Sequence, residues 1–485
     1  MKTLFENTNL ELKGGELFGI FFEENRKMLG GCPKEAEELL NGIEKQYEGK
    51  TETFFSTAIP AREKPAYLLY YCVKDAQDAE EWREAAGLLV REAYRLGLTS
   101  ASVSIPAEKQ SQEPFVKGMT EGAAMAAYQF DTYKSKKKPE FSELKFFGAH
   151  EEELKATAAE SCSVCEEVNF CRSLVDEIGS VMTPEVLADT IRSRAVQYNI
   201  ECEIWDEKRI HQEGLRALEA VGKGSANPPR FIILRYNGAP ESEKRLGLVG
   251  KGVTYDTGGY CLKPGSGMMD MKDDMGGAAA VCSALIAAAK QKLKVNVTAI
   301  VGACENSIDA GGFKPGDIIK TLKGTTIEVI NTDAEGRITL SDSVYYAVSR
   351  ERVTHIIDAA TLTGSAISTF GSYYTAAITS DQAFYDEFKK AAIVSGEYFW
   401  QLPCDRRYRK LLESKVADIK NLAGREGGCI IAGMFIKDFT EELPWIHLDL
   451  CGAYYDQHRD SYVTDLATGQ PVRTLYEMAK RMSKY

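Results

Sequence analysis

At 485 residues the chain is longer than one hydrophobic core usually holds, so two domains are the starting expectation. Hydrophobic residues at 44% and charged residues at 27% mark an ordinary globular protein. A formal net charge of -12 argues against nucleic acid or an anionic membrane as the main partner, and no apolar run approaches the roughly 18 residues of a membrane span.

The amino-terminal stretch MKTLFENTNLELKGG lacks the apolar core of a signal peptide, which leads us to expect a cytoplasmic protein. Residues 1 to about 133 alternate strand-like and helix-like patterns: a strand over 66–73, a helix over 80–96 and a strand over 101–105. Nothing in this part clusters ionisable residues around glycines, so its expected work is structural. Lys134 to Pro139 is a like-charge run ending in proline, which reads as a domain boundary or a solvated face. We expect an amino-terminal domain over 1–160 and a catalytic domain over 161–485. The twelve cysteines show no framework spacing and read as buried thiols. Cys162 and Cys165 form one CxxC with no second pair and no histidine nearby.

From Val168 onward the strands become more apolar. Thr183-Pro184 opens a helix. Strands are expected over 231–236, 246–250, 295–303, 326–330, 353–359, 375–378 and 445–450, mostly with helical patterns between them. The fold class is α/β with two domains, each a mainly parallel or mixed sheet flanked by helices. In such sheets ligands sit outside the carboxyl ends of strands.

Charge gathers at three such places. After the strand over 246–250 comes Lys251 to Pro264, with Asp256 before a glycine pair; then Met271 to Gly277, with Asp274; then Asn331 to Arg337, with Asp333 and Glu335. Asp333 and Glu335 are two apart, so on an extended exit from the strand both point the same way. Taken alone, that heptapeptide reads equally well as a turn whose aspartate caps the next helix. Four carboxylates in one cleft repel strongly, and two divalent cations neutralise them. A phosphate-cradling reading of Gly250 to Gly259 lacks GxxxxGK[ST].

The segments VGKGVTYDTGGYCLKP, MKDDMGG, NTDAEGR and DAATLTGS resemble those of the leucyl aminopeptidases, the cytosol aminopeptidase family of two-zinc exopeptidases, in the family's order and spacing. The similarity runs from about residue 165 to the carboxyl terminus and is looser before it. It implies one metal held by Lys251, Asp256, Asp274 and Glu335, and a second held by Asp256, Asp333 and Glu335, either zinc or manganese. Lys251 would bind as a neutral amine, and the two cations would share a hydroxide. Lys263 would stabilise the developing oxyanion, Arg337 would hold a bicarbonate acting as base, and Met271, Thr361, Leu362 and Gly364 would form an apolar pocket for the first residue.

The activity implied is release of amino-terminal leucine and other apolar residues from short peptides by a cytoplasmic homohexamer. A tyrosine at position 454 would narrow that pocket, and Ile178 and Ser180 depart from the family pattern. His355 and His447 read as core groups or as supports of the ligands. An added DNA-binding or regulatory role, known for some relatives, and an inactive scaffold are the alternative expectations.

Overall fold

The strand-like runs of the first 150 residues pair into one sheet. A computed structural model describes residues 1–8, 11, 13–23, 28–32, 36, 54–59, 64–424, 426–454, 461–463 and 466–484. The chain divides into two compact units, Met1–Glu166 with His458–Thr464 and Glu167–Gln457 with Asp465–Tyr485.

In the first unit, strands β1 (Lys2–Glu6), β2 (Leu17–Glu23), β3 (Met28–Leu29), β4 (Phe54–Ile59), β5 (Ala66–Val73), β6 (Ser100–Ser104) and β7 (Glu143–Phe147) form one sheet. Its order is β1-β7-β6-β2-β5-β4, with β3 paired to β2. The pairings are parallel except β4 on β5 and β3 on β2. Helix Ala79–Leu96 starts at an Asp78 cap that accepts from the Glu80 amide and stops at Gly97, whose φ of 70° suits glycine. It packs closely on helix Lys109–Ala126, because a Cβ at Gly118 would stand 2.4 Å from the Ala79 carbonyl oxygen. Trp82 and Phe115 meet edge to face in the core beside Phe21. One feature of this unit was not foreseen: Arg83 is buried, with its guanidinium 2.7 Å from both Glu121 and Glu80.

The second unit carries β8 (Glu201–Trp205), β9 (Arg230–Asn237), β10 (Leu246–Asp256), β11 (Asn296–Asn306), β12 (Ile318–Lys320), β13 (Thr326–Glu328), β14 (His355–Ala360), β15 (Thr375–Thr379), β16 (Phe399–Leu402), β17 (Ile419–Lys420) and β18 (Trp445–Asp449). Eight of them make a mixed sheet ordered β16-β15-β18-β14-β10-β11-β9-β8. Its centre, β18-β14-β10-β11, is parallel. Along β10, Val249 and Val253 face a core shared with Ile338, Leu340 and Val344 of helix Gly336–Ser349. Each such side chain, once buried, contributes roughly 1.5 to 3 kcal/mol. On the other face, Gly250 meets Gly277 and Ala278 of helix Gly276–Lys290 so closely that a Cβ would lie 2.6 Å from their backbone. Helices therefore cover both faces, as an α/β sheet requires.

Two strand expectations change. The run over 326–330 is not part of this sheet: β13 pairs with β12 and β17 in a separate three-stranded sheet. It ends at Glu328 because Val329 donates to the Asp317 carbonyl and Ile330 donates to the Asn421 side chain instead of to a neighbouring strand. The strand expected over 246–250 runs on to Asp256, so Lys251 and Asp256 lie on the strand rather than after it.

Candidate metal centre

Lys251 and Asp256 are five apart on β10, a spacing that would send them to opposite faces of a regular strand. The register with β11 slips between Val253 and Tyr255, so one extra residue is taken up and the alternation is reset. Both side chains then reach the same carboxyl end of the sheet. Asp274 arrives from the turn before helix Gly276–Lys290, and Asp333 and Glu335 from the turn before helix Gly336–Ser349. That second turn is not an extended exit. Glu335 itself has helical φ and ψ of -74° and -34°. Nor does an aspartate cap that helix, since its first position makes no side-chain cap bond. The helix-cap reading of the heptapeptide is thereby set aside.

The five residues that the resemblance makes metal ligands come together, with Lys263 beside them. Lys251 Nζ lies 2.6 Å from Asp274 Oδ1 and 2.9 Å from Glu335 Oε1, and it donates to the Thr361 carbonyl at 2.9 Å. Lys263 Nζ lies 2.9 Å from Asp256 Oδ2 and 2.6 Å from Asp333 Oδ1. Asp256, Asp333 and Glu335 each turn an oxygen into one group within 4.8 Å. Gly336 is required here, because a Cβ would stand 2.4 Å from the Lys251 chain. Lys251, Asp256, Asp274, Glu335 and Arg337 are all buried.

Such burial is costly for acids that lack enough partners. Desolvation raises Asp274 and Glu335 above the usual carboxylate range despite Lys251 beside them, and it raises Asp333 despite Lys263. Among the described residues, Asp274 Oδ2, Asp333 Oδ1 and both oxygens of Glu335 are buried without a hydrogen bond, and of these Asp333 Oδ1 and Glu335 Oε1 have a lysine as ion-pair partner. An oxygen-rich set with unused buried lone pairs is what a hard or borderline divalent cation takes as ligands, so the residues present fit such an ion. Burial pushes the Lys251 amine down, but Asp274, Glu335 and Asp256 outweigh that and raise it well above an ordinary lysine, so a cation bound through a neutral Lys251 would have to take the place of its proton.

Ten of the predicted residues, namely Lys251, Asp256, Lys263, Met271, Asp274, Asp333, Arg337, Thr361, Leu362 and Gly364, line one cavity of about 910 Å³. Glu335 joins them through Lys251. Arg337 donates through Nη1 to the Asn421 carbonyl, and its Nε has no hydrogen-bond partner among the described residues. Burial pushes the guanidinium down to about 10, which leaves it cationic at neutral pH. Cys451, Gly452 and Tyr454 also line the cavity, whereas His447 pairs with Asp358 at 2.6 Å and His355 packs on Phe384. Ile178 and Ser180 sit in an exposed turn before the Thr183-capped helix.

Three positioning side chains escaped the sequence reading. Asn306 donates to Asp256 Oδ1 at 2.7 Å and to the Thr332 carbonyl at 2.9 Å. Asn421 binds both edges of the 330–334 turn, accepting from Ile330 and donating to Asn331 and Ala334. Asp449 accepts from the Leu362 and Thr363 amides and from the Thr363 hydroxyl, which fixes the loop that carries Thr361. Asn306 left one signal, as a polar residue closing an apolar strand. Asn421 lies about 90 residues from the turn it holds and left none.

Comparison with known proteins places this geometry. A model of the cytosol aminopeptidase family, catalytic domain, matches residues 169–476, and one of the same family's N-terminal domain matches residues 74–137. The chain is 44% identical over 413 residues to a probable cytosol aminopeptidase of Clostridium perfringens, which covers 84% of each chain. It is 39% identical over 475 residues to a probable cytosol aminopeptidase of Clostridium tetani, across 96% of this chain and 98% of that one. Among solved structures it resembles the bottromycin maturation enzyme BotP, with a TM-score of 0.85 and 31% identity over 97% of this chain and all of that one. It resembles equally, at 30% identity, the same enzyme in complex with Mn.

Proposed function

The chain belongs to the cytosol aminopeptidase family of metal-dependent peptidases, and from that premise we propose that it releases the amino-terminal residue of short peptides with two divalent cations, zinc or manganese, at the buried carboxylates. The observation that carries this reading is the pair of sealed oxygens on Asp274 and Glu335 that accept no hydrogen bond among the described residues, in one cluster with Asp256 and Asp333 at the wall of the cavity. Manganese in a complex of a similar structure supports a divalent occupant. Lys251, Asp256, Asp274 and Glu335 would hold one ion, and Asp256, Asp333 and Glu335 the other. When bound, such a pair supplies Lewis acidity toward water and toward the scissile carbonyl.

The remaining work falls to the chain's own groups. Lys263 presents an ammonium at the cavity wall, held there by Asp256 and Asp333, and so offers fixed positive charge where the carbonyl oxygen becomes negative. Arg337 offers a buried cation suited to a small oxyanion such as bicarbonate, which would serve as base. Met271, Thr361, Leu362 and Gly364 give the first residue an apolar wall with one hydroxyl, which suits leucine and similar side chains. Pockets of this kind discriminate by only about 1 to 3 kcal/mol per methylene, so the preference is broad. The same reading carries a cytoplasmic location, which the relatives' names support, and a homohexamer, which light scattering checks.

Hydrolysis of leucine anilide by the purified protein, before and after chelation and with zinc or manganese restored, tests the proposal. Metal-dependent release of leucine with an amino-blocked substrate left intact is the expected result. Equal cleavage of the blocked substrate, or no activity with either metal, overturns it.

A further inference from the structure

Two charged side chains of the cavity, Asp270 and Asp273, have no part in the fold or the mechanism, and Asp273 is the less exposed of the two. Asp273 sits on the short turn Met271–Asp273, between a residue of the apolar wall and the buried Asp274. It is half-buried and lines the cavity. Among the described residues its carboxylate makes no hydrogen bond and no ion pair. Its neighbour Lys272 does not supply one, because Lys272 Nζ turns to the Asp176 carbonyl at 2.6 Å. Asp273 stands near Cys451 and Tyr454: burial first, and then surrounding charges that include Asp273, raise both that thiol and that hydroxyl.

Asp270, which is exposed, adds a second negative charge near Asp273, and the ring of Tyr454 supplies a fixed apolar surface in the same cavity. The Tyr454 ring packs so closely on Gly276 that a Cβ there would lie 2.3 Å from it, and the Tyr454 hydroxyl is engaged by Cys171 at 3.4 Å. Tyr454 therefore narrows the cavity without satisfying the acid. Met271 completes the wall. A long side chain that is aliphatic along its stem and cationic at its tip matches such a surface, since Lys and Arg lay their methylenes on apolar groups and keep the charge for a polar end.

We propose that Asp273 sets the first-residue preference of the enzyme, admitting lysine and arginine beside leucine and disfavouring aspartate and glutamate. The inference rests on the aminopeptidase reading above and deepens it. An unpaired carboxylate in a partly dry pocket gains from a cationic partner and repels an anionic one. The neutral wall by itself would rank lysine far below its near-isostere norleucine.

The test compares kcat/KM of the metal-loaded enzyme for leucyl, norleucyl, lysyl, arginyl and glutamyl anilides, in the wild type and in Asp273→Asn, with metal content measured in both. In the wild type, lysine is expected within about tenfold of norleucine, and glutamate at least about a hundredfold below it. Asp273→Asn is expected to lower the lysine-to-leucine and arginine-to-leucine ratios about tenfold and to raise the glutamate-to-leucine ratio. A lysine-to-leucine ratio unmoved by Asp273→Asn at full metal content overturns the inference. Should the variant fold poorly, a wild-type preference for norleucine over lysine beyond about a hundredfold overturns it as well. Failure of the wild type to release leucine would sink the parent reading instead, and so the two failures stay distinct.

Discussion

Glu167 and Glu335 are both fully buried carboxylates in the same unit, and their surroundings are opposite. Both oxygens of Glu167 are taken: Arg194 donates to each, at 2.5 and 3.0 Å, and Lys290 adds a bond at 3.0 Å. Those cations keep part of their surface in water. Among the described residues, Glu335 has Lys251 against one oxygen and no hydrogen bond to the other, and Lys251 is itself sealed and shared with Asp274. The first cluster is complete and holds the fold together. The second has four carboxylates for two lysines and leaves lone pairs over, which is the mark of a site that expects a guest.

The largest effect that could break this contrast is expected at Glu335. Glu335→Gln should lower kcat/KM for leucine anilide by about a thousandfold or more and strip bound metal, as read by elemental analysis, because in the proposed site Glu335 would be a ligand of both ions. Full metal content and activity in that variant would remove the contrast. Glu167→Ala should do the reverse. It should cost about 3 kcal/mol in a denaturant titration while turnover per folded molecule and metal content stay at the wild-type level.

Smaller changes sharpen the comparison. Asn421→Ala cuts the side-chain bonds to the 330–334 turn and should weaken metal binding or activity by roughly 10- to 100-fold, as loss of groups that orient metal ligands usually does. The smallest effect is expected at His447. Burial opposes its charge, but Asp358 beside it, helped by Asp449 and opposed by Arg337, raises it above the ordinary histidine value of 6.5. A histidine raised in the folded state contributes stability that is present below 6.5 and fades as pH climbs through the folded value. Thermal midpoints should therefore decline as pH rises from 6, and His447→Gln should flatten that slope. An identical slope in the variant would assign the pH dependence to other groups.

Much of the fold was legible because its signals are local. The strand over 66–73, the helix from the Thr183 cap and the apolar strands of the second sheet follow from periodicity and punctuation within a few residues. The site residues were legible by resemblance, as motifs in a fixed order. The missed positioning groups share a cause, since Asn421 and Asp449 act on turns about 90 residues away in the chain. No local pattern records such a contact.

The sequence by itself determined which residue types were available: strand formers at the sheet's centre, glycines beside the acids, and more carboxylates than lysines in three short segments. Only the tertiary structure decided how those charges meet. Strand alternation has period two, so Lys251 and Asp256 share a face only because the register slips between Val253 and Tyr255. Glu335 reaches Lys251 because Gly336 has no Cβ to block the approach. The excess of acceptors over donors is likewise a property of the packed site, because an oxygen counts as unpartnered only after water has been excluded and every neighbour has been placed.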